Sequence, residues 1–119
     1  MSNTPFKQKN PRPVVVYDDA GNPVFNGRPL RPLGYEQMSV PVGSATMFPT
    51  VPDGASVVLV KVETAAVRYR DDGTDPTATV GMPLLPGETL VYDAVMSDIR
   101  FSGQAAGAVA NVAFYGPAV

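Results

Sequence analysis

Apolar and polar residues alternate along most of the chain from residue 36 onward, in short segments separated by turn residues. The clearest segment is ASVVLVKVE at 55–63, where Val58, Val60 and Val62 fall on one face of a strand. No segment shows the sustained spacing of three and four that marks a helix. The pattern predicts an all-β fold, a single small antiparallel β-sandwich with seven or eight short strands and jelly-roll-like connections.

Other segments repeat the alternation. In AAVRYR, Val67 and Tyr69 point one way and the two arginines the other, which predicts one face on the core and one facing water or a partner. QMSVPV at 37–42 is a candidate edge strand, because a proline cannot donate to an inner ladder. ATMF is predicted to continue that strand, and the five tyrosines are expected at the edge of the core. Further strands are predicted in ATVGMPL, LPGETLVYD, SDIRFSG and AVANVAFYG.

The first third of the chain follows a different pattern. VVVY and PVF flank DDAGN, whose residues accept tight-turn geometry, and predict a short β-hairpin near 14–26. NGRPLRPLG then reads as an extended connector, since its prolines fix φ. The sequence therefore predicts an extended, basic, proline-rich N-terminal arm over residues 1–35 and a β-sandwich body over residues 36–119.

Charge divides the chain at the same place. The net charge is −2, but residues 1–35 carry five basic residues against two acidic ones, while residues 36–119 carry four against nine. A basic arm is attracted to an acidic surface, which includes the body of a neighbouring copy. The acidic remainder opposes phosphate, so the pattern disfavours nucleic acid. A solvated tail is the alternative interpretation.

The composition excludes several kinds of chemistry. The chain has no Cys and no His, which excludes disulfides, thiolate and histidine metal sites and histidine-based catalytic triads. No nucleophile elbow or phosphate-binding loop is present. We therefore expect no enzymatic activity and no cofactor. No apolar stretch approaches the roughly 20 residues of a membrane helix, and MSNTPFKQKNPRP lacks the apolar region of a secretory signal, so a soluble protein made in the cytoplasm is expected.

Three carboxylates crowd one turn, RDDGTDP: Asp71, Asp72 and Asp75. An EF-hand loop needs alternating oxygen ligands, a glycine and a glutamate six residues later, and this turn has neither the alternation nor the glutamate. A calcium site of another geometry stays open. The favoured interpretation is a structural turn in which Arg68 and Arg70 neutralise part of the charge.

The second half of the chain also resembles a known module. RYRDDGTDPTATVGMPLLPGETLVYD, followed by DIRFSGQAAGAVANVAFYG, resembles a small β-sandwich module of tailed-bacteriophage structural proteins. The shared order is an Arg-aromatic-Arg strand, an Asp-Asp-Gly turn, a Gly-x-Pro-Leu segment and an Ile-Arg-Phe triplet. The resemblance covers roughly residues 55–116 and does not extend to residues 1–50. It implies a virion protein similar to head decoration or cement proteins, without catalytic residues.

These observations lead to a functional expectation. The protein is expected on the capsid surface, where it binds the major capsid protein and neighbouring copies of itself as a homodimer or homotrimer. The alternative is a tail- or fibre-associated module that recognises host-surface carbohydrate, and a small enzyme or calcium-dependent binder is the remaining class. The expected partner-binding residues are apolar anchors and basic side chains of the arm: Phe6, Lys7, Lys9, Arg12, Val14, Val16, Tyr17, Val24 and Phe25.

Overall fold

Nine β-strands make up the regular structure of the described chain. The computed structural model describes residues 16–17, 23–25 and 28–118, with side chains from residue 29 onward, and no helix is present among these residues. The all-β prediction is confirmed. The strands are β1 (Val16–Tyr17), β2 (Pro23–Phe25), β3 (Arg28–Val40), β4 (Val57–Glu63), β5 (Val67–Arg70), β6 (Met82–Leu84), β7 (Thr89–Tyr92), β8 (Arg100–Gly103) and β9 (Ala108–Pro117).

The strands form two antiparallel sheets around one core. The larger sheet has the order β3-β9-β4-β7, and the β1–β2 hairpin extends it at the start of β3. The smaller sheet has the order β6-β5-β8. A small antiparallel β-sandwich is therefore the architecture of the chain. The jelly-roll-like connections and the division into a separate arm and body stay predictions.

Strand β3 is long and passes through the predicted boundary between residues 35 and 36. From Leu30 to Val40 it pairs with β9, with an irregularity in register between Pro32 and Gly34. The segment expected to be an extended connector is thus extended and also part of the sheet. Among the described residues, only β2 pairs with the other edge of β3, near its start. Residues 37–40 therefore lie on an edge strand, as their sequence predicts.

The core is built from the alternate residues that the pattern places inward. Val58, Val60 and Val62 of β4 are fully buried or nearly so. Each such side chain contributes roughly 1.5–3 kcal/mol relative to an exposed position. The same alternation holds in β9, where the buried side chains are those of Ala108, Ala110, Val112 and Phe114. These faces match the sequence-based predictions.

An aromatic cluster connects the two sheets through the core. Phe48 lies in the irregular segment after β3, where the sequence predicted a continuing strand. Its ring is 5.6 Å from that of Phe101 in the smaller sheet and 5.3 Å from that of Phe114 in the larger one. Offset and edge contacts at these distances are favourable for aromatic rings. The predicted continuation is wrong in detail, because this segment forms only isolated bridges and inserts its aromatic residue between the sheets.

The two sheets are also joined by backbone contacts between β8 and the segment after β3. The amide of Gly103 donates to the carbonyl of Pro41 at 3.0 Å, and the backbones of Thr46 and Phe101 exchange hydrogen bonds of 2.7 and 2.8 Å. A Cβ atom at Gly103 would lie only 2.6 Å from the carbonyl oxygen of Val40. A residue without a side chain is therefore required at this crossing.

We predict that Gly103→Ala lowers the free energy of unfolding by about 2–3 kcal/mol, because the new methyl group overlaps a backbone oxygen that cannot move alone. Gly34→Ala is the matched control, since its Cβ would make an ordinary 3.4 Å contact with Pro52. Neither glycine has a positive φ. Urea unfolding checks the difference, and equal losses in both variants would contradict the steric explanation.

Candidate functional site

The segment 71–81, which we call the carboxylate turn, connects β5 to β6 and packs back on the smaller sheet. Pro76 is buried. A Cβ atom at Gly81 would lie 3.1 Å from the Cβ of Arg68 and 3.2 Å from that of Pro76. Ser102, which pairs with Arg68 in β8, is fully buried. The turn therefore belongs to the packed body.

Hydrogen bonds within the carboxylate turn hold its shape. The amide of Thr77 donates to the carbonyl of Val80 at 2.9 Å, and the amide of Val80 donates back to the Thr77 hydroxyl at 2.9 Å. Gly81 has a φ of 134°, a conformation that residues with a side chain rarely adopt. The end of the turn is thus fixed by local bonding and by a glycine.

Two of the three carboxylates pair with arginines. Arg70 donates to both oxygens of Asp72, at 3.0 and 2.6 Å. This bond lowers the pKa of Asp72 and raises that of Arg70. Arg100 in β8 lies 3.6 Å from Asp75. Both pairs are solvated, so they fix the positions of charges more than they stabilise the fold. At neutral pH Asp72 serves as a fixed negative charge.

The third carboxylate, Asp71, accepts a hydrogen bond from a tyrosine. The hydroxyl of Tyr92, at the end of β7, lies 3.0 Å from Asp71 Oδ2 and 3.2 Å from the carbonyl oxygen of Val95. Burial, and then the hydrogen bond to Asp71, raise the pKa of Tyr92 to about 12. Burial also raises the pKa of Tyr69, with a smaller contribution from Asp71. Tyr92 is therefore a protonated donor over the whole ordinary pH range.

The expected neutralisation of the turn by two arginines is only half right. Arg70 binds Asp72, but Arg68 donates from Nη1 to the carbonyl of Gly81 at 2.8 Å and supports the backbone instead. Sequence reasoning missed Arg100 and Tyr92 because both are distant along the chain. The alternation of SDIRFSG, which places the arginine outward on a strand, was the available signal for Arg100.

Two shallow depressions flank the carboxylate turn, with volumes of about 610 and 250 Å³. Exposed apolar side chains line them beside the ion pairs: Met47 is 43% exposed, Val80 50% and Met82 59%. Methionine and arginine are both enriched at protein–protein interfaces. We call this surface the turn face. Its residues are Ala45, Met47, Arg70, Asp71, Asp72, Gly73, Thr74, Asp75, Val80, Gly81, Met82 and Arg100.

The predicted partner-binding residues of the arm lie elsewhere in the chain. Val16 and Tyr17 form β1, and Val24 and Phe25 belong to β2. The remaining five lie outside the described residues, and no side-chain contact is described for any of the nine. Their binding role stays a prediction. These five are Phe6, Lys7, Lys9, Arg12 and Val14.

A second polar cluster lies on the outer face of the larger sheet. Asn111 Oδ1 accepts hydrogen bonds from the Tyr35 hydroxyl at 2.5 Å and from Gln37 Nε2 at 2.9 Å. Its amide nitrogen donates to Glu63 Oε2 at 2.5 Å and to the backbone carbonyl of Lys61 at 3.3 Å. Tyr35 is 63% exposed, so the expectation that the tyrosines line the edge of the core is wrong for this residue.

Within the described residues, no group of three or more acidic side chains is arranged to hold a metal ion. The carboxylates of the turn do not converge, because each points to its own partner: Asp71 to Tyr92, Asp72 to Arg70, and Asp75 toward Arg100. Nor does this part of the chain contain a helix long and apolar enough to cross a membrane.

Comparisons with known proteins establish no relationship for this chain. It matches no protein-family model, no curated protein and no solved structure. The resemblance of residues 55–116 to phage virion modules therefore rests on the quoted residues alone, and it enters the function only as a proposal.

We predict that the hydroxyl of Tyr92 makes stability depend on alkaline pH. Its raised pKa means that the folded state keeps a proton that the unfolded state releases above the ordinary tyrosine pKa of 10.0. This contribution is complete below about pH 10 and is lost as the pH rises toward 12. At pH 8, Tyr92→Phe should lower the free energy of unfolding by about 1–2 kcal/mol, because the hydrogen bond is lost. Between pH 8 and pH 11, the free energy of unfolding should fall less in Tyr92→Phe than in the wild type.

Urea unfolding at the two pH values checks this expectation. Tyr35→Phe is the matched control for loss of a hydrogen-bonded hydroxyl, and it retains the Tyr92 contribution. An equal change with pH in the wild type and in Tyr92→Phe would show that burial and the hydrogen bond to Asp71 do not raise the pKa of Tyr92.

Proposed function

We propose that this protein is a non-enzymatic virion structural protein of a tailed bacteriophage. In this proposal it is a decoration or cement protein that binds the major capsid protein at the outer capsid surface and stabilises the shell. The observation that carries the proposal is the turn face, where exposed Val80 and Met82 lie beside fixed ion pairs on a shallow surface.

The turn face has the features of a surface that docks on another protein. Burying its apolar side chains would contribute at roughly 25 cal/mol per Å² of apolar area removed from water. Arg70 with Asp72, and Arg100 with Asp75, present charges in defined positions and would set orientation and reject wrong partners. The shallow shape suits a broad protein surface better than it suits a small molecule, which usually binds in a concave pocket.

The resemblance to phage modules supports the same proposal. Its residues, 55–116, contain strands β4 to β8 and most of β9, so it includes strands of both sheets but not β1 to β3 of the larger one. The Asp-Asp-Gly turn is a structural signature in that resemblance, and here both of its carboxylates accept hydrogen bonds, Asp71 from Tyr92 and Asp72 from Arg70. Under this proposal the connections are jelly-roll-like.

The N-terminal arm would add a second attachment to the shell. Its five basic residues would steer it to an acidic surface, and its apolar residues, including Phe6 and Val14, would anchor it. Ordering an extended segment costs about 1–2 kcal/mol per residue in backbone entropy. The prolines of the arm lower that cost because they restrict the unbound chain.

We predict that the double variant Val80→Ser, Met82→Ser binds shells at least tenfold more weakly, because docking would no longer bury these two side chains. Leu85→Ser is the matched control: Leu85 is similarly exposed, at 49%, but lies outside the turn face. Co-sedimentation with empty shells of the parent phage measures the binding. Equal affinity of both variants would exclude the turn face as the attachment surface.

Deletion of residues 2–13 tests the arm in the same assay. The deletion stops before β1, since removing residues 1–34 would also remove the start of β3 and its pairing with β9. We expect a folded protein with reduced shell binding. Undiminished binding would refute the role of the arm and leave that of the turn face standing.

The polar cluster on the outer face of the larger sheet supports the alternative function, host-surface carbohydrate recognition by a tail- or fibre-associated module. Proteins commonly bind sugars by stacking them on an exposed aromatic ring, whose flat face is apolar. Tyr35 offers such a ring, and Gln37 and Glu63 beside it offer hydrogen-bonding groups in positions held by Asn111.

If this alternative holds, the protein binds bacterial surface polysaccharides on a glycan array, and Tyr35→Ala abolishes that binding while the fold is kept. Val95→Ala is a suitable control, because Val95 is exposed by 58% and lies away from the cluster. If a protein sample that binds shells binds no glycan on the array, the carbohydrate function is ruled out.

A further inference from the structure

On the side of the larger sheet opposite β7, two strand edges have no partner among the described residues. One is the free edge of β1, which is the terminal strand of the order β1-β2-β3-β9-β4-β7. The other is the edge of β3 beyond the hairpin, including residues 36–40. A strand edge exposes N–H and C=O groups that can pair with another chain.

The open part of β3 lacks the usual protection against such pairing. Residues 36–40 read EQMSV, with one charged residue and no proline or lysine. Native edge strands are commonly blocked by lysine, proline or a bulge. The irregularity in β3 lies between Pro32 and Gly34, before this stretch. The edge is therefore suited to accept a strand.

The directions of the strands show which strand fits. β1 is antiparallel to β2, and β2 is antiparallel to β3, so β1 runs in the same direction as its own β3. In a second copy rotated by a two-fold axis perpendicular to the sheet, β3 runs in the opposite direction. The β1 of one copy and the β3 of the other are then antiparallel, which is the more stable arrangement for a ladder.

The positions along β3 also fit. The copy's own hairpin pairs with β3 at Arg28 and Pro29, and the partner's hairpin would lie beside residues 36–40. The two β3 strands would be separated by three strand spacings, roughly 14 Å at about 4.8 Å each. Each end of that gap is filled by the two strands of one hairpin. About six residues of β3, roughly 20 Å, remain between the paired positions of the two hairpins.

We propose that the protein forms a two-fold symmetric dimer in which β1 of each copy adds to residues 36–40 of the other copy's β3. The interface is isologous, and the same contact occurs twice. The larger sheets of the two copies become one continuous sheet, and both open edges on this side are closed. This proposal concerns the contact between copies, and it goes beyond shell binding and does not depend on it.

The absence of native cysteine provides a direct test, because any disulfide must come from introduced residues. Neighbouring antiparallel strands bring Cα atoms to about 4.5–5.5 Å, within the range that a disulfide spans. The experiment mixes a Tyr17→Cys chain with a tagged chain that carries Gln37→Cys or Ser39→Cys. In such a mixture a disulfide between tagged and untagged chains can form only between copies.

The register predicts which positions react. Residues that pair directly on neighbouring strands lie on the same face of a sheet. The pairing of β1 with β2 and of β2 with β3 therefore places position 17 on the face that carries Gln37 and Ser39, and position 16 on the opposite face. Under mild oxidation we expect at least tenfold more mixed disulfide from Tyr17→Cys than from Val16→Cys. In the control for random collision, the tagged chain carries Thr50→Cys instead of Ser39→Cys, because Thr50 is exposed and lies outside β3.

Three outcomes of the cross-linking experiment would overturn the proposal: yields no higher than those with Thr50→Cys, equal yields from positions 16 and 17, or a predominant Ser39→Cys disulfide between two β3 strands. Light scattering of the unmodified protein gives an independent check, with an expected mass of twice the 12.5 kDa chain. A monomer or a trimer would also refute the two-fold arrangement. The two proposals can fail separately. If the turn-face variant loses shell binding but no mixed disulfide forms, the proposed function is supported and the dimer interface is refuted.

Discussion

The crossing of β8 over the segment that follows β3 determines the arrangement of both sheets. Gly103 allows the two backbones to approach, and Phe101, two residues earlier, is held by the backbone of Thr46 while its ring enters the core. Because β8 pairs with β5, the same crossing fixes where β5 ends and where the carboxylate turn begins. The turn face is therefore positioned by the core, although none of its charges is buried deeply.

The carboxylate turn shows how a cluster of acidic residues can have a structural explanation. Each carboxylate has a different partner, namely the hydroxyl of Tyr92, the guanidinium of Arg70 and the nearby guanidinium of Arg100. Three like charges in one loop would repel each other, and these separate partners hold them apart. The arrangement gives the surface a fixed pattern of charge.

The sequence predicts the strands in which a two-residue period is uninterrupted. Valine alternation defines the faces of β4, and the same rule places Phe101 inward in β8 and Phe114 inward in β9. It does not predict the length of β3, because Pro29, Pro32 and Gly34 interrupt the pattern, and their tolerance depends on an edge position and an irregular register.

The candidate site is less predictable than the strands, because its contacts join residues far apart in the chain. Asp71 and Tyr92 are 21 positions apart, and only the packing of two loops brings them together. The exposure of Tyr35 has a similar cause. The strand was expected to begin at Gln37, two residues later, so the outward direction of the Tyr35 side chain was not part of the prediction. Period and turn chemistry are local properties, whereas these contacts depend on tertiary structure.

The unprotected stretch of β3 has a consequence for the life of the newly made chain. An open strand edge of this kind presents a template to any extended polypeptide nearby, including incompletely folded copies of the same chain. The pairing between copies that we propose and non-specific aggregation would compete for the same backbone groups, and both would become faster as the concentration rises. Slow synthesis at low temperature would favour the soluble product, whereas rapid overproduction would send more of the chain into inclusion bodies.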